Sequence, residues 1–349
     1  MINFFNIVER FAPEAIEIME IRLRVLRQIL HQQPIGRRQL GKCLSYSERQ
    51  VRAEIETLRI RGAVSITPAG IYLTPYGEEL LWDIDDIMPF LFKIQTLAEK
   101  VKQMFNLEEV IIVPGDSYTE EIVRKDIGRA AAKYLKKQLY PGCILAVTGG
   151  STLAEMANAI SDGLNLSDIL VVPARGGLGE DMEQQAGSIA ARIAGSIGAQ
   201  YRMLHIPDNL EENTVEILKN DIHVREVVNT IKASNILVHG IGPAVEMAVR
   251  RGISAEEIKY LQQNGASGEA LRYYFDRMGK IIYEVPGIGL ELADLQNIKV
   301  IIAVAGGSNK ALAIEAVLNN RQQKVLITDE GAAEKIIANK NGKDGLHGS

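Results

Sequence analysis

From residue 13 to 31 the apolar residues Ile18, Ile21, Val25 and Ile29 return every three or four positions, which predicts an amphipathic helix. A second, short helix is expected over 36–44. The stretch "SYSERQVRAEIETLRIRG" opens a third, and Ser47 followed by Gln50 fits a capping box at its start. Val51, Ile55 and Leu58 give that helix an apolar face, while Arg49, Arg52, Glu56 and Arg59 line the other side. "AVSI" and "GIYLT" then alternate in polarity around "TPAG", the pattern of a β-hairpin. Three helices and a hairpin wing predict a winged helix-turn-helix over residues 1–75, with its third helix suited to the major groove.

Over 76–106 the period changes. Leu80, Ile84, Ile87, Leu91, Ile94, Ala98 and Val101 are spaced alternately four and three apart, a heptad seam. The seam predicts a helical, coiled-coil-like linker that pairs two subunits, with a kink or split at Pro89. Packing of the same helix on its own domain is the competing reading.

From residue 107 to 340 near-continuous apolar runs alternate with helical segments. "EVIIVP", "CILAVTGG", "DILVVPARGG", "YRMLHIP", "NILVHGIG", "VIIAVAGGSNK" and "KVLITDEGAA" are the runs, as expected of strands buried on both faces. They predict a doubly wound, mostly parallel α/β domain. "LRYYFDRMGKIIYEV" differs and reads as a hairpin to one side. The tail, residues 341–349, is polar and glycine-rich and reads as disordered.

Glycine pairs follow several strand ends: Gly149-Gly150, Gly176-Gly177, Gly240-Ile241-Gly242 and Gly306-Gly307. Ligands of such sheets bind at the carboxyl ends of the strands. A glycine turn leading into a helix presents N–H groups to an anion. Ser151, Thr152, Arg175, Ser308 and Lys310 stand beside these turns, so an anionic ligand is expected there. No Walker motif or complete G-x-G-x-x-G fingerprint is present, which argues against a nucleoside triphosphate or a dinucleotide.

Charge adds a second partner. The chain of 349 residues has a net charge of −5, yet residues 22–61 hold ten basic and three acidic residues. A basic block on an acidic chain is the footprint of a DNA-binding module. Arg37 and Arg38, at the start of the second helix, suit phosphates, whereas Arg49, Gln50 and Arg52 in the first turns of the third suit base edges; Ser47, at the start of that helix, is counted with them as a DNA-binding residue. Only Cys43 and Cys143 are present, and the five histidines show no metal-ligand spacing. Together with the lack of a long apolar run or a signal-peptide pattern, this predicts a cytoplasmic protein with no membrane, metal or cofactor partner.

Taken in order, "PIGRRQL", "VTGGST", "VPARGGLGED", "LVHGIG", "IIAVAGGSNKA" and "ITDEGAA" resemble one known family over nearly the whole chain. It is the SorC/DeoR class of sugar-responsive bacterial transcription factors and, within it, the central glycolytic genes regulators of Gram-positive bacteria. The resemblance implies a repressor of a central glycolytic operon, released by fructose 1,6-bisphosphate, with no catalytic residue. It also implies a homodimer that pairs further, as a dimer of dimers, on operator DNA.

By the same resemblance the effector contacts are Gly149, Gly150, Ser151 and Thr152 of the phosphate turn, Arg175 of "PARGG" and Gln185 beyond it. Arg250 of the arginine pair after "VHGIG", Glu269 of "GEALRYYF" and Lys310 of "GGSNK" complete the set. The residues alone leave Glu269 open between a ligand-facing acid and a surface acid on a helix.

The architecture also supports enzymes, notably glucosamine-phosphate deaminases and ribose-phosphate isomerases, whose phosphate turns resemble "TGGST". The deaminases follow "GIG" with an aspartate and a histidine that move protons. Here Pro243 and Ala244 occupy that stretch, and neither is an acid or a base. His239 reads as a core histidine, and Asp329 is a lone acid at a strand end. A sensor is therefore expected, in which the ligand shifts the population between DNA-bound and released states.

Overall fold

A computed structural model describes residues 2–85, 87–92, 94–160, 166–177 and 181–344. The chain divides into two compact units, Met1–Thr96 and Leu97–Ser349.

The first unit opens with α1 (Ile2–Phe11), which the apolar pattern did not single out, and α2 (Pro13–Gln32). Pro13 sits at the first turn of α2, where a missing N–H costs nothing. α3 (Arg37–Leu44) ends at Ser45 in the left-handed region, and α4 (Glu48–Ile60) begins three residues later. Ser47 Oγ accepts the Gln50 N–H at 3.2 Å and fixes that start. Strands β1 (Val64–Thr67) and β2 (Gly70–Leu73) pair antiparallel with Val64 opposite Leu73 and Thr67 opposite Gly70, forming the wing. Leu26, Ile29, Leu40, Val51, Ile55, Leu58 and Leu73 make one core under this surface. The winged helix-turn-helix is thus present as expected.

The linker is not one helix. Residues 75–105 form three: Pro75–Ile84, Met88–Leu91 and Gln95–Phe105. Pro89 lies inside the short middle piece, where its ring and missing N–H prevent a continuous ladder. Leu80, Ile84 and Leu91 pack into the core of the first unit. Val101 is fully buried in the second, and the unit boundary falls at Thr96. The split expected at Pro89 is present, and the 76–106 stretch is shared between two cores rather than forming one continuous seam. Spacings of three and four serve a helix packed on its own domain as well as one packed on a partner.

In the second unit seven strands form one parallel sheet: β3 (Glu109–Val113), β4 (Ile144–Val147), β5 (Leu170–Pro173), β6 (Gln200–Tyr201), β7 (Ile236–Gly240), β12 (Val300–Val304) and β13 (Val325–Asp329). Their order is β3-β13-β12-β7-β4-β5-β6. Leu145, Val147, Val171, Val238, Ile302, Val304 and Ile327 share one face of the sheet, in one core with residues of helices Glu121–Gln138 and Ala186–Ile197, and Ala146, Val172, Leu237, Ile301, Ala303 and Leu326 on the opposite face are buried as well. From β4 the chain winds outward through β5 to β6; from β7 it winds the other way through β12 to β13. The loops after β4 and β7 consequently diverge, leaving a crevice at the switch point.

A second sheet is antiparallel, in the order β11-β10-β9-β8. It comprises β8 (Gly242–Pro243), β9 (Ala266–Ala270), β10 (Tyr273–Asp276) and β11 (Ile281–Glu284). The expected side hairpin is β10–β11. β9 was not expected, and it overturns the helical alternative for Glu269, which sits on this strand 3% exposed. The final helix, Glu330–Asp344, runs into the stretch expected to be disordered; residues 345–349 lie outside the described residues.

Candidate functional site

The DNA-facing candidates lie on two consecutive helices. Arg37 and Arg38 are exposed at the start of α3; Arg49 and Arg52 are exposed on α4, and Gln50 is half-buried between them. Ser47 is engaged as the cap of α4, so its role is to set that helix. Arg38 meets Glu48 at 3.2 Å, but both side chains are open to water, so the pair yields readily to a phosphate. The basic block is smaller than its composition implies. Arg27 is buried, Arg22 pairs with Glu54 at 2.9 Å, and Arg24 lies over the Phe92 ring.

The effector candidates converge at the carboxyl ends of β4, β5, β7 and β12. One open cavity is lined by Gly149, Gly150, Ser151, Thr152, Arg175, Arg250, Glu269 and Lys310, with Glu246 and Met247. A second takes in Gly176 and Gln185 and shares Gly149, Gly150, Arg175, Met247 and Arg250 with the first. All nine residues named from the sequence are thus brought together.

Glycine is required at the first turn. A Cβ on Gly149 would stand 2.5 Å from the Gln184 carbonyl oxygen, and Gly150 has φ 130°. The Gly150 N–H donates to Gln184 O at 2.9 Å. Helix Ser151–Ala159 starts immediately beyond, and the first N–H groups of a helix have no intrahelical partner. Thr148 Oγ1 accepts the Gly240 N–H at 3.1 Å, tying this turn to the one after β7.

Against the cavity lies a buried ion cluster, two members of which, Arg175 and Glu269, reach its wall. Arg175 is 3.3 Å from both Asp208 and Glu269. Arg251 Nη2 donates to Glu269 Oε1 at 2.6 Å and Arg251 also pairs with Asp208. The Arg272 N–H donates to the same Oε1 at 2.7 Å. Burial pushes the carboxyls of Asp208 and Glu269 up, opposed by Arg175. Burial would lower the Arg175 pKa, but Asp208 and Glu269 outweigh it, and the guanidinium stays charged. Two cations and two carboxylates therefore stabilise one another out of water, and loss of any one would leave a buried charge uncompensated.

His239 is fully buried beside this cluster. Burial holds its pKa down at about 4, so it is neutral near pH 7. Its Nδ1 lies 3.0 Å from Gly240 O. Asp329 is spent on structure: it accepts N–H groups from Gly307, Ser117 and Ala332. Burial lowers the Lys310 pKa, countered by Glu246.

The sequence reading missed Asp208, Arg251 and Arg272. Arg251 alone had a local signal, the arginine pair; the other partnerships arise only when β9 and the turn after β6 meet. Among the described residues no group of histidine, cysteine and acidic side chains is placed to hold a metal. No helix among them is long and apolar enough to cross a membrane.

A winged helix-turn-helix joined to an α/β domain whose crevice is lined by arginine, lysine and a glycine turn at a helix start defines a class, the sugar-responsive transcriptional regulators. Residues 18–88 match the "CggR N-terminal DNA binding domain" family, and residues 91–338 match the family described as "Putative sugar-binding domain". The chain belongs to the central glycolytic genes regulator family. It is 40% identical over 329 residues to the central glycolytic genes regulator of Bacillus subtilis, covering 94% of this chain and 97% of that one. It is 37% identical over 342 residues to that of Priestia megaterium, covering 98% and 100%. Its fold is similar to a "putative SorC family transcriptional regulator from Enterococcus faecalis" (TM-score 0.65, 39% identity, 70% of this chain and 100% of that one). The full-length sorbitol operon regulator SorC of Klebsiella pneumoniae shares the fold at 19% identity (TM-score 0.66, 92% and 97%). These relatives are transcriptional regulators, not enzymes, and the chain is a DNA-binding transcriptional regulator with a sugar-binding domain.

Proposed function

We propose that this regulator is a repressor of a central glycolytic operon, released from its operator by fructose 1,6-bisphosphate. The observation that carries the reading is the pair of adjoining cavities meeting at Arg175 and Arg250. One holds the glycine turn and Lys310, the other Gly176 and Gln185, so a sugar with a phosphate at each end has a basic or N–H-lined seat for both. The names of the two curated relatives support the glycolytic assignment. By family resemblance the operator-bound form is a homodimer or a dimer of dimers. Of the 76–106 seam, Leu91, Ile94 and Val101 are buried within the chain, while Leu80, Ile84, Ile87 and Ala98 are half-buried and remain available to a second subunit.

Release follows from linkage: the bisphosphate binds the free form more tightly than the DNA-bound form and so draws the population off the operator. Calorimetric titration of the full chain with fructose 1,6-bisphosphate, fructose 6-phosphate and glucose 6-phosphate tests the ligand. Operator binding titrated with the same compounds tests release. Tightest binding and release by the bisphosphate is expected; equal response to the monophosphates would overturn it. Arg52→Ala should weaken operator binding by roughly 1–3 kcal/mol without changing effector affinity.

A further inference from the structure

We propose that Asp116 is a positioning residue for Lys310: with Asp329 it closes the second glycine turn to anions, so that this loop offers the effector only its lysine. The inference rests on the effector site proposed above.

The turn Gly306-Gly307-Ser308 follows β12 and resembles the phosphate turn after β4. The N–H groups of Gly307 and Ser308 are already taken. Gly307 N–H donates to the two oxygens of Asp329 at 3.0 and 2.8 Å. Ser308 N–H donates to Asp116 Oδ1 at 2.9 Å. The Ser308 side chain also bonds to Asp116, and these bonds help hold its carboxyl below the usual carboxylate range. Both acids are anchored in turn. Asp329 accepts Ser117 N–H at 2.8 Å and Ala332 N–H at 2.9 Å, and Asp116 Oδ1 accepts Tyr118 N–H at 2.9 Å. A Cβ on Gly331 would stand 2.5 Å from the Asp116 carboxyl carbon, so that side chain has little room to move.

The loops after β3, β12 and β13 are thereby fastened at their tips. Lys310 lies two residues past Ser308, its N–H bonded to Gly307 O at 2.9 Å, and it lines the effector cavity. Nothing in the mechanism proposed above uses Asp116, which lines neither cavity. Its carboxylate acts on the ligand only through the loop that carries the lysine.

The test uses the full chain as wild type, Asp116→Ala, Asp116→Asn, Lys310→Met and Asp116→Ala/Lys310→Met, each titrated calorimetrically with fructose 1,6-bisphosphate after its thermal midpoint is recorded. Asp116→Ala should weaken binding by about tenfold or more, and Asp116→Asn, whose amide oxygen still accepts both N–H groups, by no more than about threefold. On the Lys310→Met background Asp116→Ala should add less than about twofold, because the residue acts through the lysine. Asp116→Glu, which displaces the carboxylate by one methylene, replaces the alanine variant should that one not fold, with the same expectation. Wild-type affinity in Asp116→Ala, or the same loss with and without Lys310, would overturn the positioning role alone. Unchanged affinity in Lys310→Met would remove the lysine from the effector site, and the reading beneath the inference would fall with it.

Discussion

The chain makes nearly the same turn twice. "AVTGGST" ends β4 and "AVAGGSN" ends β12, both with a glycine in the left-handed region, Gly150 at φ 130° and Gly307 at φ 102°. At the first, Ser151 and Thr152 open a helix on the cavity wall. At the second, the carboxylates of Asp329 and Asp116 sit where an anion would. Identical local chemistry thus yields a seat for a ligand in one place and a structural joint in the other. What decides is the neighbouring loop, which supplies acids to one turn and leaves the other with only the Gln184 carbonyl. Substitutions at the first turn should therefore cost ligand affinity directly, and those at the second should cost stability and reach the ligand only through Lys310.

The sharpest break would come from Asp329→Ala. Its carboxylate accepts N–H groups from Gly307, Ser117 and Ala332 in a fully buried position. Leaving buried donors unmet should cost about 4 kcal/mol of domain stability. Urea unfolding measures it, and a loss below about 1 kcal/mol would erase the distinction between the turns.

Next in size is a pH effect from His239, on the strand between the two turns. An unfolded imidazole takes up its proton near pH 6.5, the folded one only near 4. Between those values the unfolded state binds more protons, so the stability that His239 contributes is complete above pH 6.5 and falls as the pH drops toward 4. The span corresponds to about 3 kcal/mol. Asp208 and Glu269, whose raised carboxyls act in the opposite sense, remain in both proteins when wild type is compared with His239→Asn. The difference between their stability-versus-pH curves should show this slope, and parallel curves would rule it out.

Thr152→Val probes the open turn itself. Removing a hydroxyl that would donate to a phosphate should cost about 2 kcal/mol of effector affinity, some tens of fold. The urea midpoint should stay unchanged and operator binding intact. A regulator that resists release, rather than one that never binds DNA, is the expected behaviour; ordinary release would show the two turns to be alike.

The smallest contrast is between the glycines. A Cβ on Gly150 meets nothing within 4 Å, so Gly150→Ala should cost only the backbone strain of its φ, about 1 kcal/mol. Gly307→Ala adds a contact at 2.6 Å with Asn309 Oδ1 and should cost more. Thermal unfolding of the pair ranks them, and the reverse order would contradict the packing described.

The parallel strands were legible because burial on both faces leaves unbroken apolar runs such as "VIIAV", and the glycine turns because tight strand-to-helix loops demand them. The effector residues were legible mainly through the resemblance. Glu269 shows why: "ASGEA" carries no run of β-branched residues, and its strand exists because β8 and β10 flank it. Asp208 and Arg251 were hidden for a related reason, since an ion pair across 43 residues leaves no local pattern. The linker misled in the opposite way. Its period was real, but period alone does not say whether the apolar face meets its own domain or another chain.

The cluster of Arg175, Asp208, Arg251 and Glu269 also constrains how this family can diversify. Each member balances the charge of a largely buried neighbour, so a single exchange passes through a form with an unmatched buried ion. Adaptation to a different sugar is then expected to proceed through cavity-wall positions outside the block, Gln185 and Glu246 among them, while the four charged residues, of which Arg175 and Glu269 also reach the wall, change only together.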